Sequence, residues 1–392
     1  MRRTMQRQMH APGAGAAFGE AGGSSPGETE RRCTAILTHH WLVRHRGGEK
    51  VLAALRELLP TSPIHTLVYD RRGTGGRWTN VHASWLRFVP GAPAHYPKLL
   101  ALLAWTAERT RLPPADLVLC SDAAMVKAMR PHGQSKVICY CHSPMRYVWD
   151  DELRAVYERT LSPPARALFR WSADVARRVD ARGAARVDQF IANSRFVADR
   201  IRRWYGREAA VVHPPVDLPP APHAGPREDY YLFVGHNAPY KRLDLAIEAC
   251  RRLGRRLVVI GEQTELRSGD HGTKFLGYQP DDVLHEHYRR ARGLLFPGVE
   301  DFGLIPVEAM ANGCPVIALG AGGAVETVSD GTTGVLFQDQ TVEGLKAGIE
   351  RAEAMRFDAP RMHVEMQRFG RQRFLTEMRA WIARVLNQRR PS

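Results

Sequence analysis

The chain has 392 residues, 44% hydrophobic and 25% charged, the composition of a soluble globular protein long enough to divide into two cores. Its formal net charge of +15 rests almost wholly on arginine, since lysine occurs only at positions 50, 98, 127, 136, 241, 274 and 346; this points to an anionic partner (nucleic acid, an acidic membrane or a phosphorylated substrate) or to a solvated arginine-rich surface. The six cysteines, at 33, 120, 139, 141, 250 and 314, fit neither a zinc site nor a disulfide scaffold, and no apolar run approaches the ~20 residues of a membrane span, so a reducing cytoplasm is the expected setting.

Residues 1–32 are rich in glycine, alanine and arginine, lack the apolar core of a secretory signal, and read as a disordered tail. CTAILTHHW then reads as a strand. RGGEKVLAALRELLP follows as a glycine turn entering an amphipathic helix with Val51, Leu52, Leu55 and Leu58 on its apolar face. Further strand candidates lie at PIHTLVYD, ADLVLCSD and KVICYCHS. Between 165 and 185, Leu168, Trp171, Val175 and Val179 form a helical stripe ringed by arginines, expected to face the core, with membrane contact as the alternative. VDQFIANSRFVADRIRRWYG reads as a strand and a helix capped near Asn193 or Ser194. The proline-rich stretch 213–228 breaks all periodicity and marks a hinge. Beyond it YYLFVG, RRLVVIG, TKFLGY, GLLFPG, CPVIAL and TGVLF are short apolar strand candidates of a second series. The expected fold class is α/β, with two Rossmann-like domains over 33–212 and 229–370 facing a central cleft.

Ligands of such sheets bind beyond the carboxyl ends of the strands. In FPGVEDFGLIPVEAMANGC, Glu300 falls in a strand-to-helix loop and Glu308 about one turn inside the helix, which Gly303 opens and Asn312-Gly313 closes. The helix start offers unpaired N–H groups and the positive end of the dipole to a phosphate, while a carboxylate one turn away suits a ribose diol. Helix starts and solvent faces also favour glutamate, so these residues alone leave both readings open. Lys241 and Arg242 stand where a helix begins, and two cations there call for an anion such as a diphosphate, or else form a solvated pair. Gly47-Gly48 permits close backbone approach to a ligand. His142, at a strand end beside Arg146, favours a functional over a structural role.

In order, RGGEKVL, YCHSPMRYVWD, DQFIANSRFVADRI, YKRLDLAIEA, FPGVEDFGLIPVEAMANGCPVIALGAGGAVETV and GTTGVLF resemble glycosyltransferase family 4, the retaining, nucleotide-sugar-dependent enzymes of GT-B fold, over roughly residues 34–386. Their wording is most similar to mannosyltransferases of bacterial O-antigen and exopolysaccharide synthesis. The resemblance implies an acceptor-binding first domain, a nucleotide-sugar-binding second domain, and a helix within 371–392 returning to the first. It implies that His142 and Glu300 stand at the reaction centre and that Glu308 binds the ribose. Lys241, with Arg242 and His236, would hold the diphosphate; Gly47, Gly48, Tyr278, Asp301, Phe302, Gly303 and Leu304 complete the donor site, and Arg146 faces the acceptor. One departure is His236, which follows Gly235 where many members carry arginine; a clamp using it would depend on pH.

Glycosyl transfer builds negative charge on the departing diphosphate, which Lys241 and the helix N-terminus would stabilise. The expectation is therefore catalysis without metal or cofactor, from GDP-mannose to a polyprenyl-diphosphate-linked or oligosaccharide acceptor, in the cytoplasm or at the inner face of the plasma membrane. A UDP-sugar-dependent transferase, a nucleotide-sugar epimerase and a glycosyl phosphorylase are the enzymatic alternatives. A basic membrane- or nucleic-acid-binding protein is the alternative of another class, although no nucleic-acid module is present.

Overall fold

The computed structural model describes residues 33–44, 47–222, 225–236, 238–261 and 272–388. The expected tail over 1–32 lies outside them. Seven apolar segments form a wholly parallel sheet: β1 (Ala35–Leu42), β2 (Ile64–Tyr69), β3 (Val81–Ala83), β4 (Leu117–Asp122), β5 (Lys136–Cys141), β6 (Gln189–Ala192) and β7 (Ala209–Val211), in the order β3-β2-β1-β4-β5-β6-β7. A second parallel sheet holds β8 (Tyr231–Val234), β9 (Leu257–Ile260), β10 (Thr273–Gly277), β11 (Gly293–Phe296), β12 (Val316–Leu319) and β13 (Gly334–Phe337), in the order β10-β9-β8-β11-β12-β13. Strands such as β4, β8, β11 and β12 are buried at every position, as expected when helices cover both faces. In each sheet the strand order reverses beside the first strand, between β1 and β4 and between β8 and β11. Those reversals open a crevice at the strands' carboxyl ends.

The helices that position the site are α1 (Gly47–Leu58), α2 (Leu100–Arg109), α3 (Pro163–Ala185), α4 (Arg195–Tyr205), α5 (Leu243–Leu253), α6 (Asp281–Arg290), α7 (Leu304–Ala311) and α8 (Arg371–Asn387). Among the described residues no helix is long and apolar enough to cross a membrane. The stripe expected to face the core on α3 does so only in part. Val179 is buried, but Leu168 is 62% and Trp171 57% exposed. The face that packs is made of small residues, Ala173, Ala176 and Gly183. A Cβ on Gly183 would lie 2.9 Å from the backbone of Ala128, so a large apolar stripe has no room there. Asp180 on the same face is ion-paired to buried Lys127 and accepts hydrogen bonds from Trp149 Nε1 at 2.7 Å and Tyr205 Oη at 2.6 Å. Lys127 also reaches Asp122 at 2.9 Å, so a buried charge cluster ties α3 to the end of β4.

Two chain crossings lie side by side. Val216 donates its N–H to the Phe369 carbonyl at 3.0 Å, and Arg373 Nη2 donates to the His213 carbonyl at 2.8 Å. After the second crossing, α8 lays Phe374, Leu375, Met378, Ile382 and Val385 into one core with Leu37, Val51, Leu55 and Tyr140 of the first domain. The Phe374 and Tyr140 rings meet edge to face at 5.6 Å. The returning helix is thus part of the first domain's core. Truncating Phe374, which is fully buried, in a Phe374→Ala variant is expected to cost about 3–5 kcal/mol in urea-induced unfolding. An unchanged midpoint would show that α8 is merely tethered.

Candidate active site

The second domain's half of the cleft is built by close backbone packing. Gly235 ends β8 with φ 153°, and a Cβ there would lie 3.0 Å from Lys241 Cδ, so the lysine stem runs across the glycine. A Cβ on Gly298 would lie 2.5 Å from the Tyr240 carbonyl and 2.7 Å from Lys241 Cα, which presses the loop after β11 onto the Lys241 turn. Buried Lys241 forms an ion pair with Glu300. The Gly323 N–H donates to the Glu300 carbonyl at 2.8 Å, and a Cβ on Gly323 would lie 2.4 Å from Phe302 Cα. That glycine loop therefore fixes the segment carrying Glu300. Helix α7 starts at Leu304 behind Gly303, which has φ 90° and supplies no side-chain cap; its dipole and first-turn N–H groups suit an anion. Glu308 is buried one turn on and accepts from Lys50 Nζ at 3.0 Å and Tyr288 Oη at 3.3 Å. Its charge pulls the Lys50 ammonium pKa upward against burial.

The first domain supplies the opposite wall. A Cβ on Gly47 would lie 2.7 Å from Leu304 Cδ1, so the N-termini of α1 and α7 face each other. The glycine pair belongs to the first turn of α1 itself and not to a preceding loop. Gly48 borders three histidines: a Cβ there would lie 3.5 Å from His39 Cε1, 3.7 Å from His40 Cε1 and 3.9 Å from His142 Nε2. Ser121 Oγ lies 2.8 Å from His142 Nε2 and 3.0 Å from His39 Nδ1. One hydroxyl proton serves two imidazoles, which couples their tautomers. The His142 N–H donates to the Asp122 carbonyl at 2.8 Å, and its carbonyl accepts from Asn193 Nδ2 at 2.8 Å. Burial, reinforced by neighbouring His39, lowers His142 to about 4, and burial takes His40 well below the usual range. Burial alone would raise the Glu49 carboxyl, but His39 and His40 outweigh it and bring it to about 2.

Other expected site residues take different roles here. Arg242 has φ 55° and forks onto Asp244 at 3.0–3.2 Å. Both cations at that helix start thus find their anions within the protein, Glu300 for Lys241 and Asp244 for Arg242. The Phe302 ring is turned into the core, 5.4 Å from those of His213 and Phe369, leaving only its backbone toward the cleft. Asp301 pairs with Arg200 and accepts from Ser143 Oγ at 3.2 Å, while its carbonyl accepts from Ser194 Oγ at 2.5 Å. It ties the domains together. Arg146 also bridges them, donating to the Val299 carbonyl at 3.3 Å and lying 4.6 Å over the Tyr240 ring. His236 is exposed and meets Tyr240 edge-on at 6.2 Å, and Tyr278 is 71% exposed past the end of β10. Sequence reasoning missed the partners Tyr288, Arg200 and Ser121, which carry no local signal. Lys50 had one, as a rare lysine adjoining the glycine pair.

A cavity of about 530 Å³ opens beyond β1 and β2, lined by Trp41, Arg44, Glu49, Asp70, Pro93 and Tyr96. The Trp41 ring lies 4.6 Å from Tyr96 and 4.6 Å from His40, so this cavity adjoins the histidine cluster. Another, of about 510 Å³, lies against the hinge. There Glu326 accepts from the Arg195 and Phe196 N–H groups at 2.9 and 3.1 Å and lies 3.1 Å from His213. The two N–H contacts cap α4, and the cavity lies away from the cluster of His39, His40 and His142.

Known proteins bear on this architecture. The family description "Glycosyltransferase Family 4" matches residues 45–219, and "Glycosyl transferases group 1" matches residues 220–373. D-inositol 3-phosphate glycosyltransferase of Mycobacteroides abscessus is 33% identical over 187 residues, 40% of this chain and 42% of that protein. Glycogen synthase of Xanthomonas axonopodis pv. citri is 31% identical over 189 residues, 44% of this chain and 38% of that protein. The chain thus spans about two fifths of the length of these curated relatives. The solved structure of Anabaena HepE in complex with UDP and glucose superposes with a TM-score of 0.62 at 16% identity, covering 90% of this chain and 100% of that one. The lipopolysaccharide outer core galactosyltransferase WaaB, in its apo form, gives 0.60 at 14% identity, covering 90% and 99%. Two doubly wound sheets facing one cleft, matched over residues 45–373 by two adjoining family descriptions, place the chain in glycosyltransferase family 4, with the GT-B fold.

Proposed function

We propose that the chain transfers a hexose from a nucleotide sugar to an acceptor hydroxyl with retention of configuration and without a metal ion. The observation that carries this reading is the convergence of Lys241, Glu300 and the uncapped start of α7 on one loop of the cleft. The UDP and glucose held by HepE support a nucleotide-sugar donor. The wording of the motifs favours GDP-mannose, with a UDP-sugar as the second reading.

In the structure the proposed donor-binding groups pair with one another, Lys241 with Glu300 and Lys50 with Glu308. A donor would exchange partners rather than desolvate bare charges. Its diphosphate would take Lys241 and the α7 N-terminus, freeing Glu300 for the sugar hydroxyls. Its ribose diol would take Glu308 from Lys50. As the glycosidic bond lengthens, charge grows on the diphosphate where this cation and dipole already stand. The incoming hydroxyl attacks from the same face, its proton passing to the departing phosphate oxygen, and no side chain serves as a covalent nucleophile. His142, held neutral, orients the donor sugar by hydrogen bonding. The Trp41, Tyr96, Glu49 and Asp70 cavity suits an acceptor sugar, with apolar ring faces on the aromatics and hydroxyls on the carboxylates. A lipid-linked or oligosaccharide acceptor of cell-surface polysaccharide synthesis fits that chemistry, with the enzyme at the cytoplasmic membrane face.

Incubation with GDP-mannose or a UDP-hexose and a synthetic mannosyl acceptor is expected to release nucleotide only when acceptor is present. NMR of the product should show a retained anomeric configuration, and EDTA should leave the rate unchanged; loss of activity with EDTA would remove the metal-free mechanism. Lys241→Ala is expected to lower kcat by about 10²–10³-fold, and unchanged turnover would take Lys241 off the diphosphate. Because His142 falls from 6.5 to about 4 on folding, the unfolded chain binds the extra proton between those values. Stability should therefore rise with pH from about 4 to 6.5, and His142→Gln should make that rise shallower in pH-dependent thermal melts, leaving the share of His40 and His65, which burial also lowers.

A further inference from the structure

We propose that the face carrying Trp85, Phe88 and Trp105 docks the enzyme on an anionic lipid bilayer. Phe88 is 72% exposed, and Trp85 and Trp105 are each 44% exposed. The two indoles meet edge to face at 6.3 Å, which joins the single turn Trp85–Phe88 to helix α2 in one apolar patch. The exposure is built in. Ser84 Oγ accepts from the Leu86 N–H at 3.2 Å and donates to the Leu67 carbonyl at 2.7 Å, while Leu86, Leu100, Leu103 and Ala104 anchor both elements in the core. The rings are held out on rigid supports.

Cations surround them. Arg87 lies 4.6 Å over the Phe88 ring and Arg109 4.8 Å over the Trp105 ring. Residues 71–111 contain seven lysines and arginines against a single carboxylate, Glu108, which is itself paired with Arg182 at 2.9 Å. All seven cations are exposed. Indoles with a wet edge and an apolar body settle at the headgroup level, and guanidiniums beside them meet lipid phosphates. A single-stranded nucleic acid also takes rings and cations, but it needs bases stacked along a groove, and here the rings project from a turn and a helix. A second copy would bring the same cations face to face. The chain that continues from this patch, residues 91–96, lines the cavity read above as the acceptor site. The docking surface would therefore set that cavity's rim against the membrane, and this functional part of the inference rests on the transferase reading.

The test is co-flotation of the full chain with vesicles of phosphatidylcholine alone and of phosphatidylcholine with an equal part of phosphatidylglycerol. Binding is expected to the anionic vesicles only, to weaken about fivefold for each of Arg87→Gln and Arg109→Gln, and to fall at least tenfold in Phe88→Ser, with thermal melting points unchanged. Turnover on a water-soluble acceptor should be the same in all variants, so that its absence throughout would sink the transferase reading while leaving the docking result intact. Equal flotation of Phe88→Ser and the parent chain would overturn the proposal. So would binding of a single-stranded oligonucleotide in place of vesicles, or a concentration-dependent dimer abolished by Phe88→Ser.

Discussion

The carboxylate of Glu308 is buried in the second domain and draws its cation, Lys50, from the first. A buried charge tolerates no vacancy beside it, so this pair makes the spacing between the domains an electrostatic matter as well as a steric one. The facing starts of α1 and α7, where Gly47 admits Leu304, follow from it. Arg200 against Asp301 and Arg146 against the Val299 carbonyl repeat the pattern farther along the cleft. Charged and hydrogen-bonded links of this kind can exchange partners where an apolar seam could not.

The histidine cluster obeys a related constraint. His39, His40 and His142 crowd around Gly48 and share Ser121, and burial, reinforced by neighbouring histidines, takes His142 and His40 well below the usual imidazole range. Their contribution is then one of directed hydrogen bonds and shape. The positive charge of the site comes instead from Lys241, Lys50 and the helix N-termini.

Much of this was legible in the sequence because it is local. The six strands of the second sheet each end in glycine or a polar turn, and five strands of the first are apolar runs long enough to recognise. The edge strands β3 and β7 were not, being three residues long and only partly buried. The α3 stripe misled for a tertiary reason: contact with Ala128 and the Lys127–Asp180 pair demand small and charged residues on the inner face, so the large apolar ones turn outward. At the site, Glu300, Lys241 and Glu308 stood out through their places at strand and helix ends. Their partners did not, since Lys50 and Glu308 are separated by 258 positions and nothing in either neighbourhood names the other. Arg242 and Phe302 have suitable positions but spend their side chains on Asp244 and on the core.

The placement of α8 bears on how the protein is made. The first domain's core is closed by Phe374, Met378 and Ile382, which leave the ribosome after every strand of the second domain. The domain synthesised first is therefore the one finished last, and until then the apolar face around Leu37, Leu55 and Tyr140 awaits its cover. The second domain contains its own two cores and can settle in the meantime. Assembly of the cleft would then run backward along the chain, with the second domain's wall in place before the first domain's wall is sealed.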